Sequence, residues 1–118
     1  MKVLIIDDEV DMGEILAHLI RRNGFEVEFL QDTNLAKKAI QLATTDVILC
    51  DMNMPQMSGA EFYVQNCREL DSHFIILTGD ITASLEEIYT TGIKHVLFKP
   101  KDLARIIPLL KELTLERQ

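Results

Sequence analysis

Short apolar runs alternate with longer amphipathic stretches along the whole chain. Residues 2–6 read KVLII, rich in β-branched side chains and closed by Asp7-Asp8, which predicts a strand. From Met12, apolar residues recur at Ile15, Leu16, Leu19 and Ile20, the spacing of one helix face, and Gly24 lies just beyond as a stop. FEVEFL, residues 25–30, alternates apolar and acidic positions like a half-exposed strand. Leu35, Ala36, Ala39, Ile40 and Ala43 mark a second helix, and DVILCD, residues 46–51, a third strand. Ser58-Gly-Ala-Glu61 has the form of a capping box and opens a third helix predicted to run to about Leu70. FIILT, residues 74–78, is the fourth strand. Ser84-Leu-Glu-Glu87 would cap a short fourth helix that stops near Gly92, and HVLF, residues 95–98, is the fifth strand. Leu103, Ile106, Ile107, Leu110 and Leu113 mark a last helix, which Pro108 should kink or break.

Strand then helix, five times over, predicts an α/β chain. Strands that are apolar throughout are buried on both faces, so the sheet is parallel with helices on both sides. With right-handed crossovers the result is a (βα)5 doubly wound five-stranded parallel sheet. Such sheets place their sites at the carboxyl ends of the strands, beside a topological switch point.

Those ends are chemically unusual here. The first strand ends in Asp7-Asp8, the third in Asp51, the fourth in Thr78 and the fifth in Lys99, followed by Pro100. In a parallel sheet all of them share one edge. Three clustered carboxylates repel, and one is driven toward protonation unless a cation joins them. Hard oxygen ligands suit Mg²⁺, and no nearby Cys/His set favours zinc. An ionised Asp51 is a competent nucleophile toward phosphorus. Lys99 would neutralise charge on a transferring phosphoryl group, and the Thr78 hydroxyl could donate a further hydrogen bond to it.

Composition narrows the class. The chain has 118 residues, one domain's worth, with 47% hydrophobic and 26% charged residues. Its net charge of −7 makes it a poor direct ligand for nucleic acid or an anionic membrane. No apolar run approaches the roughly 18–20 residues that span a bilayer, and the start does not read as a signal peptide, so the cytoplasm is the expected compartment. Cys50 and Cys67 sit in no CxxC or Cys/His cluster and are expected to be free and structural. His18, His73 and His95 share no metal-ligand spacing. Met54 is expected to fill the core beneath its loop, and Leu109 to widen the apolar stripe of the last helix, as core or as a partner surface.

The strand-end residues carry a resemblance. The chain resembles the receiver domain of bacterial two-component response regulators through Asp7-Asp8-Glu9, DMNMPQMSG from Asp51 to Gly59, IILTG ending in Thr78-Gly79, and GIKHVLFKP ending in Lys99-Pro100. The likeness covers essentially the whole chain, in order and spacing. It implies a flavodoxin-like receiver fold over residues 1–118, with no output domain within them. It implies Asp51 as phosphoacceptor, with Mg²⁺ bound by Asp8, Asp51 and the backbone carbonyl of Asn53, and by Asp7 through a water. Thr78 would move toward the phosphoryl group, Lys99 would pair with its oxygens, and the Lys99-Pro100 bond would be cis. Asn53 and Asp80 would border the phosphoryl group. The implied partners are a sensor histidine kinase or histidine phosphotransfer protein, a downstream protein or output domain controlled through the face of helix four, strand five and helix five, and a homodimer linked to phosphorylation. Such a domain assists its own phosphorylation and dephosphorylation and turns over no external substrate.

One position departs from the family pattern. An aromatic residue often stands three before the lysine, whereas this chain has Val96; Phe98 shares its strand parity. That is the one feature favouring the alternative, a phosphorylation-independent interaction module on the same fold. Two other readings fail on residues. A phosphohydrolase of the haloacid-dehalogenase type needs an acid two residues after its nucleophile, where this chain has Asn53; a flavin site needs a phosphate loop after strand one. The plainer reading of Asp7-Asp8 is a helix cap, and of Asp51 a turn former.

Overall fold

The structure, a computed structural model, describes residues 1–42, 44–79 and 85–116. Five strands, β1 (Lys2–Ile6), β2 (Glu26–Leu30), β3 (Val47–Asp51), β4 (His73–Thr78) and β5 (His95–Phe98), alternate with α1 (Val10–Arg22), α2 (Thr33–Leu42), α3 (Gly59–Asn66), α4 (Leu85–Thr90) and α5 (Ile106–Glu116). The strands form one parallel sheet in the order β2-β1-β3-β4-β5. The predicted doubly wound architecture is present. The order reverses beside β1, so the switch point lies between β1 and β3, the strands that lead into Asp7 and end in Asp51.

The two sheet faces carry separate cores. β1 shows why: it is buried almost throughout, so alternate residues serve opposite layers. Val3 and Ile5 pack with Leu16, Ala17 and Ile20 of α1 and Ile106, Leu110 and Leu113 of α5. Leu4 and Ile6 pack with Ala36 of α2, Ala60 and Phe62 of α3 and Ile88 of α4. Met54 packs against this second cluster and Leu109 against the first, as expected.

Element ends follow local chemistry. Asp11 in the first turn of α1 and Arg21 and Arg22 in the last oppose the helix dipole. Gly24 follows at φ 93°, a conformation costly for any residue with a Cβ. Ser58 accepts the Glu61 N–H at 3.0 Å, the serine half of the predicted capping box. The α3 prediction ran too long. The helix ends at Asn66: Cys67 N–H still makes the helical bond to the Tyr63 carbonyl, but Arg68 N–H goes to that same carbonyl, both at 2.9 Å, and the chain leaves the helical path. Pro108 acts as a divider. The apolar pattern splits into a 3-10 turn (Leu103–Arg105) and α5, and Pro108 falls in the first turn of α5, where an N–H has no intrahelical partner to lose. Ala43, Asp80 and the Ser84 cap lie outside the described residues.

Candidate functional site

Asp7 follows β1 and is 1% exposed; Asp51 closes β3 and is 4% exposed. Asp8 is exposed beside them. One carboxylate oxygen from each of the three lies within 4.8 Å of the others. Lys99, just past β5, spans the gap: its Nζ is 3.5 Å from Asp7 Oδ2 and 3.4 Å from Asp51 Oδ1. Rigid strands therefore bring together charges separated by up to 92 positions in the chain. A cavity of about 340 Å³ adjoins them, lined by Asp8, Met52, Asn53, Met54, Pro55 and Ser58.

Each group is shaped by its surroundings. Asp7 Oδ1 accepts the Glu9 N–H at 2.9 Å, a local turn before the helix and not a cap: the N-cap of α1 is Glu9, and no side chain caps it; the other Asp7 oxygen faces Lys99. Burial pushes the Asp51 carboxyl up from the usual 3.8 to about 6, against the pull of Lys99, with Asp7 adding to the rise and an Asn53 backbone hydrogen bond opposing it. Burial would lower the Lys99 pKa, but the Asp51 and Asp7 carboxylates outweigh it and hold the ammonium above its usual value. The site is thus short of positive charge: one ammonium faces two buried carboxylates and a third beside them.

Thr78 is fully buried at the end of β4, one residue beyond Leu77, the register partner of Asp51. Its carbonyl accepts the Lys99 N–H at 2.8 Å. The Lys99-Pro100 bond is cis, as the resemblance implied. Gly59 opens α3 against the loop after Asp51. A Cβ there would stand 2.6 Å from the Asp51 carbonyl oxygen, so only glycine admits this approach. One acid went unnoticed in the sequence. Asp102 is 5% exposed and hydrogen-bonded to the strand that carries Lys99. Its only signal is an acidic residue opening an apolar helical pattern, which reads as an ordinary cap.

Other candidates stay structural. Cys50 and Cys67 are both free and buried. Burial pushes the Cys50 thiol well up and Cys67 to about 12, far from a reactive thiolate. His18 is exposed, and His73 and His95 are half-buried.

The model of the response regulator receiver domain family matches residues 3–111. The chain belongs to that family. Receiver domains are the signalling domains of two-component response regulators, and this one is similar to a response regulator receiver protein of Anaeromyxobacter sp., 34% identical over 111 residues, 92% of this chain and 46% of the relative. It is also similar to the hydrogenase transcriptional regulatory protein HoxA of Bradyrhizobium diazoefficiens, 33% identical over 117 residues, 93% of this chain and 23% of the relative. The receiver domain thus spans about half or less of these curated relatives. Among solved structures, the chemotaxis response regulator CheY4 of Vibrio cholerae matches with a TM-score of 0.83 and 30% identity, over 95% of this chain and 97% of that one. Receiver domains bind Mg²⁺ through an acidic cluster, and the oxygen-only set of Asp7, Asp8 and Asp51 fits a hard cation. No helix among the described residues is long and apolar enough to cross a membrane.

Proposed function

We propose that residues 1–118 act as one phosphorylation-controlled receiver unit with Asp51 as phosphoacceptor. A histidine kinase, a histidine phosphotransfer protein or a small acyl phosphate is the donor. An Asp51 oxygen forms a bond to phosphorus while the donor's P–N or P–O bond breaks, and the leaving group departs with the electron pair. Lys99, held 3.4 Å from Asp51 Oδ1, neutralises charge on the phosphoryl oxygens. Thr78 supplies a hydroxyl to one of those oxygens once the group is attached. Asp8, Asp51 and the Asn53 carbonyl would hold Mg²⁺, with Asp7 beside them. When bound, the ion supplies charge neutralisation for the transferring group.

Ile15 and Leu19, one helical turn apart on α1, are 63% and 40% exposed and offer apolar contact to a docking donor. Phosphorylation reshapes the face of α4, β5 and α5, which lines a cavity of about 810 Å³, and that face controls a partner or output domain. Val96 lines this cavity where a larger side chain would fill more of it.

The observation that carries the reading is the Lys99 ammonium in contact with both Asp7 and Asp51 at the switch point of the sheet. Intact mass after incubation with acetyl phosphate tests it. Wild-type protein should gain one phosphoryl group only with Mg²⁺, and Asp51→Asn should gain none. No gain by folded wild type under any condition would replace this reading with a phosphorylation-independent interaction module.

A further inference from the structure

β5 is an edge strand, so half of its backbone polar groups face away from β4. At its end the two sides are satisfied differently. Lys99 points its N–H inward and donates to the Thr78 carbonyl at 2.8 Å. Phe98, one residue earlier, points its backbone groups outward, and both meet Asp102. The Phe98 N–H donates to Asp102 Oδ2 at 2.9 Å, and the Asp102 N–H donates to the Phe98 carbonyl at 2.6 Å. Two reciprocal hydrogen bonds therefore close a ring over residues 98–102. The cis peptide between Lys99 and Pro100 lies within it. Behind it the chain is held again: Leu103 N–H donates to the Pro100 carbonyl at 3.2 Å and Arg105 N–H to the Asp102 carbonyl at 2.9 Å.

We infer that Asp102 is a positioning residue for Lys99: its carboxylate closes the loop that sets where the ammonium stands between Asp7 and Asp51. The inference rests on the function proposed above for the meaning of that placement, and not for the placement itself.

Four observations point the same way. Asp102 is 5% exposed in an otherwise short surface loop, so its charge is kept inside at a cost that its hydrogen bonds must offset. The Phe98 hydrogen bond is the largest cause holding its carboxyl below the usual range, ahead of Arg105 and Lys101, so the acid serves the strand more than its neighbouring cations. Arg105 is 3.6 Å away with a side chain 68% exposed, a weak partner for a buried acid. The side chain does not cap the 3-10 turn that it opens; it reaches backwards to the strand instead. Without the Asp102 carboxylate, the outward N–H of Phe98 must find water, and the ring keeps only its backbone half, the bond from the residue 102 N–H to the Phe98 carbonyl, beside the Lys99 to Thr78 bond and the turn behind it. Lys99 then samples positions away from the two carboxylates.

Chemical protection of Lys99 and the rate of phosphorylation test this separately. The Lys99 amine, 10% exposed and paired, should be modified slowly by formaldehyde and borohydride, with exposed Lys94 and Lys101 as references in the same digest. Asp102→Ala should raise Lys99 modification about tenfold toward the references and slow Mg²⁺-dependent acetyl-phosphate labelling of Asp51 about tenfold or more. Asp102→Asn keeps an acceptor oxygen for Phe98 and should restore both to within about threefold of wild type. Should the alanine variant not hold its circular dichroism spectrum, Asp102→Ser decides; its hydroxyl stops one bond short of the carboxylate oxygens and should release Lys99 likewise. Lys99 modification unchanged in a folded Ala or Ser variant overturns the inference, as does an Asn variant no better than Ala. If wild type takes no phosphoryl group, the functional reading fails alone, and Lys99 protection still decides the role of Asp102.

Discussion

The two faces of the sheet are built differently. One is covered by two long helices, α1 with 13 residues and α5 with 11, over a core whose fully buried residues are all Val, Ile, Leu and Ala, with half-buried Met1, Met12, Phe25 and Phe29 only at its margin. The other is covered by three shorter helices, α2, α3 and α4, with 10, eight and six residues. Its core mixes Cys50, Met52, Cys67, Phe62 and Phe74 with aliphatics, and half-buried Met54 and Met57 pack against it. Branched aliphatics in defined rotamers fill space in one way, whereas thioethers and small side chains tolerate several packings. Helices of six to ten residues draw almost all their stability from the surface beneath them, and α4 buries only Ile88 among its residues. The long-helix face is therefore the anchor. The short-helix face, which meets the site through the Asp51–Gly59 loop, can rearrange at lower cost.

Removing one large side chain from each face separates the two most sharply. Leu110→Ala on the long-helix face should lower the global unfolding free energy by about 3 kcal/mol in urea titration, because its fully buried side chain leaves a cavity in a stiff layer. Ile88→Ala removes an equally buried side chain from α4, yet most of its effect should appear locally. Amide exchange in residues 85–90 should accelerate about tenfold or more while the global loss stays well below that of Leu110→Ala. Equal global losses, with no local acceleration, would erase the distinction.

The seam between the faces carries the next effect. The Asp51 carboxyl is pushed up to about 6, above its unfolded value of 3.8, so the native state binds its proton more tightly than the unfolded chain. The ionised carboxylate thus destabilises the metal-free fold above pH 6, and the penalty fades as pH falls from 6 to 4. Asp51→Asn should raise stability at pH 7 by on the order of 2–3 kcal/mol, converge on wild type near pH 4, and lose much of its advantage in excess Mg²⁺. Thermal melts across that range check all three. The smallest expected effect lies in the adaptable core. Cys67→Ala should cost only about 1 kcal/mol, since it removes a single buried sulfur atom.

Much of this molecule is legible without coordinates. Apolar runs, alternation and helical spacing set out the five strands and three of the helices, because side-chain periodicity reports directly on local backbone geometry, and capping-box forms mark the third and fourth helices. The strand-end residues Asp7, Asp8, Asp51, Thr78 and Lys99 are likewise visible, because a parallel sheet must place those ends on one edge. Tertiary structure alone decided the rest. The end of α3 depended on which carbonyl Arg68 found. That Lys99 touches both Asp7 and Asp51 follows from strand order and register across 92 positions, and that Asp102 turns back onto Phe98 follows from β5 lying at the sheet edge. Periodicity acts over a few residues; which charges meet, and which outward backbone groups need a partner, is set only once the strands have chosen their neighbours.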